Sequence, residues 1–101
     1  MAKLITVYWR DIPAQVIGRS ARTRIKRELS PRFAKAIDRA AMRAGRGASD
    51  AYLADWRRDS RPCDGDLEGA VESEAARLEH QFSDDVLEAM IRAGGTQAGS
   101  G

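Results

Sequence analysis

The sequence predicts an α+β fold: a small antiparallel sheet with helices packed on one face, in the order ββαβα with a short C-terminal helix. Three observations carry that reading. Residues 4–10 (LITVYWR) are β-branched and aromatic, without Gly or Pro. Two later segments repeat apolar residues at helical spacing, each after a cap-like residue. Short turn signals, rather than long linkers, separate the elements. At 101 residues the chain fits one domain, expected over 1–95, with a small, polar, disordered tail over 96–101.

The first strand places Ile5, Val7 and Trp9 on one face and Leu4, Thr6 and Tyr8 on the other. Both faces are apolar enough for a central strand. Asp11-Ile12-Pro13 is a turn signal, because Pro fixes its own φ and restricts the residue before it. Residues 14–19, with Val16 and Ile17, form a weaker second strand and complete a hairpin. Residues 20–28 are polar and basic, with Ile25 the one large apolar side chain, and suit a mobile connection or an extra helical turn. Ser30-Pro31 starts a helix, an N-cap followed by Pro at the first helical position. Phe33, Ile37, Ala41 and Ala44 supply its apolar side, and Gly45 stops it.

Residues 51–58 (AYLADWRR) fit either period; their shortness and flanking breaks favour a strand. The segment echoes the first strand, Trp9-Arg10-Asp11 beside Trp56-Arg57-Arg58-Asp59, which suggests similar roles for the two Trp-Arg ends. Pro62–Asp66 reads as a loop. Leu67, Val71, Ala75, Leu78 and Phe82 then form the strongest periodic stripe in the chain. Ser83 caps a last helix, with Asp84 and Asp85 in its first turn and Val86, Leu87, Met90 and Ile91 on its apolar side.

The net charge of +2 conceals a division. Residues 1–61 carry 15 Lys/Arg against 6 Asp/Glu, a balance of +9; residues 62–101 carry 2 against 9, a balance of −7. The expectation is that the halves neutralise one another in part, with the basic helix 31–44 beside the acidic helix 66–82. The basic stretch 19–27 is left over for an acidic partner.

The opening block 3–17 (KLITVYWRDIPAQVI), together with 52–58 (YLADWRR), resembles a family of short alphaproteobacterial proteins labelled the "virulence factor" domain. The resemblance covers residues 3–82. It implies a cytoplasmic accessory protein associated with enzymes of folate and methyl-group metabolism, and it carries no catalytic residues onto this sequence. The basic stretch 19–27 is richer in Arg than the family pattern requires.

No acid–base or nucleophile constellation stands out, so a non-catalytic protein without a cofactor is expected. Cys63 is the single cysteine and His80 the single histidine, which supports neither a disulfide framework nor a zinc site. No apolar run reaches membrane-spanning length, and no signal peptide opens the chain, so the expected location is the cytoplasm. The candidate partner-binding residues are Trp9, Arg10, Trp56, Arg57 and Arg58 at the strand ends, with Arg22, Arg24, Lys26 and Arg27 in the basic stretch. Trp and Arg dominate interface energetics, and clustered guanidiniums raise the encounter rate with an acidic protein. The alternative is a nucleic-acid-binding module using the basic region 19–46.

Overall fold

The computed structural model describes residues 2–45 and 49–96. Four strands form one antiparallel sheet: β1 (Ala2–Trp9), β2 (Ile12–Arg19), β3 (Arg24–Glu28) and β4 (Trp56–Cys63), in the spatial order β3-β2-β1-β4. The helices are α1 (Pro31–Arg43), α2 (Ser49–Ala54), α3 (Leu67–Gln81) and α4 (Asp84–Arg92). The α+β class holds, and the apolar strand β1 is central, as its sequence requires. The expected tail beyond residue 96 lies outside the described residues, as does the Arg46-Gly47 part of the loop after Gly45.

Residues 20–28 depart from the expected connection or helical turn. They contain a tight turn, with Ser20 N–H donating to the Thr23 carbonyl, and the edge strand β3. Charge on an edge strand discourages pairing with another sheet, so a polar composition is compatible with β structure there. The 51–58 segment divides: α2 ends at Ala54 and β4 begins at Trp56. Pro62 and Cys63 belong to β4 rather than to a loop, and an edge strand tolerates Pro. Ile12 and Pro13 likewise belong to β2; the turn is Arg10-Asp11, and Pro13 sits where the β1–β2 register slips between Val7 and Tyr8. A bulge is one of the places in a sheet where a missing N–H costs little.

Alternation along the strands divides the sheet into two faces. Leu4, Gly18 and Ile25 lie side by side and point toward α3. A methyl group at Gly18 would come within 2.6 Å of a Val71 methyl and 2.9 Å of Leu67 Cδ1. The main core joins this face to Phe33, Ile37, Val71, Leu78, Leu87 and Met90 of the helices. Ile5, Val7 and Ile17 point the other way and form a separate buried cluster, with Trp56 its apolar neighbour among the described residues. Among the described residues, no helical side chain joins that cluster.

The acidic half answers the basic half, with one change of partner. The helix lying along α1 is α4, not α3. Arg39 of α1 pairs with Glu88 of α4 at 3.0 Å, and Arg32 reaches Asp84 at 3.3 Å. The start of α1 meets the end of α3, where Arg32 Nη2 donates to the Glu79 carbonyl and carboxylate at 2.6 and 3.2 Å. Glu79 also receives the Ser30 N–H and O–H at 2.6 and 2.8 Å. Burial alone would raise the Glu79 pKa, but the bonds from Ser30 and Arg32 outweigh it and hold the carboxyl below its ordinary value. Instead, α3 packs over β2 and β3, with Arg27 beside Glu72 at 3.6 Å. Both helices thus rest on the sheet rather than along each other.

Candidate partner interface

The strand ends bring the two Trp-Arg segments together. Trp9 and Trp56 are directly opposite in the β1–β4 register. Trp9 is fully enclosed, at 0% exposure. Its indole N–H donates to the Tyr52 carbonyl at 2.9 Å, and its ring stacks on Tyr52 at 5.8 Å. Gly95 closes over it: at φ +101°, a methyl there would lie 2.6 Å from the indole. Trp9 therefore belongs to the core and offers no surface. Arg10 is also structural. It takes a positive φ of 54° at the hairpin turn, pairs with Asp55 at 3.1 Å and donates to the Gly94 carbonyl at 2.9 Å. Arg57 clasps the same turn, donating to the Arg10 carbonyl at 2.8 Å with its guanidinium 4.3 Å above the Tyr8 ring.

The remaining candidates divide by face. Arg27 points to α3 and is paired. Arg24, Lys26 and Arg58 point to the face that the helices leave open, and Trp56 borders it. Four rows cross this face in register. Pro62, Lys3, Arg19 and Arg24 form the first; Ser60, Ile5, Ile17 and Lys26 the second; Arg58, Val7, Gln15 and Glu28 the third; the fourth, Trp56 and Trp9 with Ile12, is closed over by Tyr52 of α2, and its Trp9 and Ile12 belong to the main core. An open depression of about 640 Å³ lies between Val7, Gln15, Trp56, Arg57 and Arg58.

The first row was not legible from the sequence. Lys3, Arg19 and Arg24 stand directly opposite one another on three neighbouring strands, all exposed, with Arg22 in the adjoining turn. Directly opposed like charges destabilise a sheet. None of these four cations makes an ion pair among the described residues, and Lys26 pairs only with Glu28, at 3.5 Å. Lys3 and Arg19 were missed because their meeting depends on strand register, which composition does not reveal. The alternating LITV run of β1 facing a Gly-bearing β2 was the one available signal.

Among the described residues, no group of three or more His, Cys, Asp or Glu is gathered to hold a metal ion. Cys63 ends β4, its thiol 3.9 Å from the Asp64 carbonyl, while His80 is exposed in the last turn of α3. The most enclosed carboxylate is Glu74, 6% exposed, which accepts from Arg61 at 2.7 Å and from Arg77 at 2.9 and 2.5 Å. The Arg77 bonds hold its carboxyl below the ordinary value, against burial and with help from Arg61. Each acceptor atom of Glu74 faces a guanidinium, so this cluster ties α3 to β4. No helix of the described residues is long and apolar enough to cross a membrane.

No curated protein and no solved structure matches the chain. A family model described as Virulence factor matches residues 7–91, which include β2, β3, β4 and every helix but the last residue of α4. The match spans both Trp-Arg strand ends and most of the open face, and the chain belongs to the Virulence factor family.

Proposed function

We propose that this protein is a non-catalytic, cytoplasmic accessory module that docks onto an acidic protein partner through the open face of its sheet. The observation that carries the reading is the Lys3–Arg19–Arg24 row. Three aligned cations that meet no carboxylate among the described residues cost stability in isolation. A partner that brings carboxylates to them removes that cost and gains from electrostatic attraction. Ile5, Val7 and Ile17, only 5%, 7% and 1% exposed, form a rigid apolar backing beneath the cationic side chains, and the half-buried Trp56 at its border is the aromatic anchor left for a partner. The family resemblance points to an enzyme of folate or methyl-group metabolism as the partner.

The nucleic-acid alternative drew on a continuous basic region from 19 to 46. Arg27, Arg32 and Arg39 of that region are engaged by Glu72, Glu79, Asp84 and Glu88. Phosphates would have to compete with those carboxylates, which favours the protein partner.

The test is affinity capture from the native cell with wild-type protein, a Lys3→Glu/Arg24→Glu/Arg58→Glu variant and a Lys35→Glu/Arg43→Glu control. The expected result is one stoichiometric partner, lost with the sheet variant, retained with the control and insensitive to nuclease. Equal capture by the sheet variant, or loss of the captured material on nuclease treatment, overturns the proposal.

A further inference from the structure

Beyond the cationic rows, the opposite end of the sheet has different chemistry. There Gln15, Glu28 and Trp56 meet α1 and α2 around a cavity of about 280 Å³. Tyr52 and Trp56 line it as a nearly perpendicular pair, with centroids 5.8 Å apart and planes at 86°. Leu29 and Ile37 form its apolar floor, while two carboxylates reach its lining, Asp38 and Glu28, the latter shared with Lys26 at 3.5 Å. Asp38 is exposed and makes no ion pair among the described residues.

We propose that this cleft binds an organic cation, an alkylammonium or guanidinium head group, between the Tyr52 and Trp56 rings and the Asp38 and Glu28 carboxylates. Trp9 stacks on one side of Tyr52, and the surface that the Tyr52–Trp56 pair leaves toward the cleft offers π density to a compact cation, while apolar walls weaken the competition from water. The carboxylates select positive charge over a neutral group of the same shape. Burial and the charge of Asp38 both raise the Tyr52 pKa, as expected if the phenol and that carboxylate share the cleft. The same electrostatics would repel a carboxylate or phosphate, so this site and the Lys3–Arg19–Arg24 row take ligands of opposite sign.

The cation could be free in solution or the side chain of a polypeptide, and two probes separate the sources. Tetramethylammonium and a capped Gly-Arg-Gly peptide are each titrated into ¹⁵N-labelled protein while the two indole N–H signals are followed. Neopentyl alcohol is the neutral control. The Trp56 signal is expected to move with at least one cation and not with the alcohol, while the sealed Trp9 signal stays in place. Binding by tetramethylammonium alone identifies a small-molecule site; tighter binding of the peptide identifies a basic side chain. Asp38→Asn, at an exposed helix position, is expected to weaken the cation by about three- to fivefold. Equal response to the neutral alcohol, undiminished affinity in D38N, or no Trp56 shift with either cation overturns the proposal.

Discussion

Replacing Glu74 by Gln keeps the shape of the side chain and removes the charge that holds Arg61 and Arg77. The carboxylate is 6% exposed, while the side chains of Arg61 and Arg77 are 56% and 51% exposed. Each charge-assisted hydrogen bond to such a group contributes about 1.5–3 kcal/mol. The exposed guanidiniums regain water when released, so the three bonds do not sum. Gln also keeps one acceptor and a bond to one Arg. A loss of about 1–2 kcal/mol follows, or a fall in Tm of about 4–16 °C for a domain of this size. The same reasoning fixes the pH dependence. A carboxyl held below its ordinary 4.5 contributes stability that is complete above that value. That stability is lost as pH falls through the lower folded value. Urea unfolding of wild type and E74Q at pH 7 and at steps down to pH 3 should therefore give two curves that converge on the acidic side. The exposed Glu72→Gln, whose Arg27 partner is half exposed, should cost less than about 0.5 kcal/mol. Equal stability of E74Q and wild type at pH 7, or a gap that persists unchanged to pH 3, would refute the assignment.

Gly18→Ala should destabilise by about 1–3 kcal/mol in urea, because its methyl would overlap side chains of Val71 and Leu67 in a filled core; a neutral result would mean α3 sits farther from β2. Acrylamide should quench Trp56 in a Trp9→Phe variant far better than Trp9 in a Trp56→Phe variant, since Trp9 is fully enclosed and Trp56 is not. Arg39→Ala should change stability by less than about 1 kcal/mol, measured by thermal unfolding, because its pair with Glu88 is open to solvent on both sides.

What the sequence revealed depended on how much each element is buried. The strand β1 and the stripe Val71–Ala75–Leu78 were legible because burial dictates their residue types. Ser83 behaves as its sequence suggested, accepting the Val86 N–H. Ser30 does start α1, but its hydroxyl donates to Glu79 rather than capping the helix, since the end of α3 competes for it. The edge strand β3 was hidden, and β4 was expected too early, over 51–58, because the exposed positions of both carry Arg, Lys, Asp and Ser. Composition at an edge answers to solubility and partners rather than to a core. The candidate interface was half legible for the same reason. Arg24, Lys26 and Arg58 could be named as basic, but their alignment with Lys3 and Arg19 is a property of register, set by the β1–β2 and β2–β3 pairings. Trp9 and Trp56 looked alike in sequence, and only the cover provided by Tyr52 and Gly95 separates them.

That cover has a consequence for how the chain is made. The hairpin holding Trp9 is synthesised first, yet the Arg10 guanidinium reaches the Gly94 carbonyl and the Asp11 N–H donates to Gly95, more than 80 residues later. Contacts of such separation form slowly, because a long loop must close before they contribute. A nascent chain halted before residue 94 would hold its sheet without its closure, leaving an indole face and a charged hairpin turn available to chaperones. The native cover of Trp9 and of the hairpin turn is therefore complete only once Gly94 and Gly95 are free to reach them.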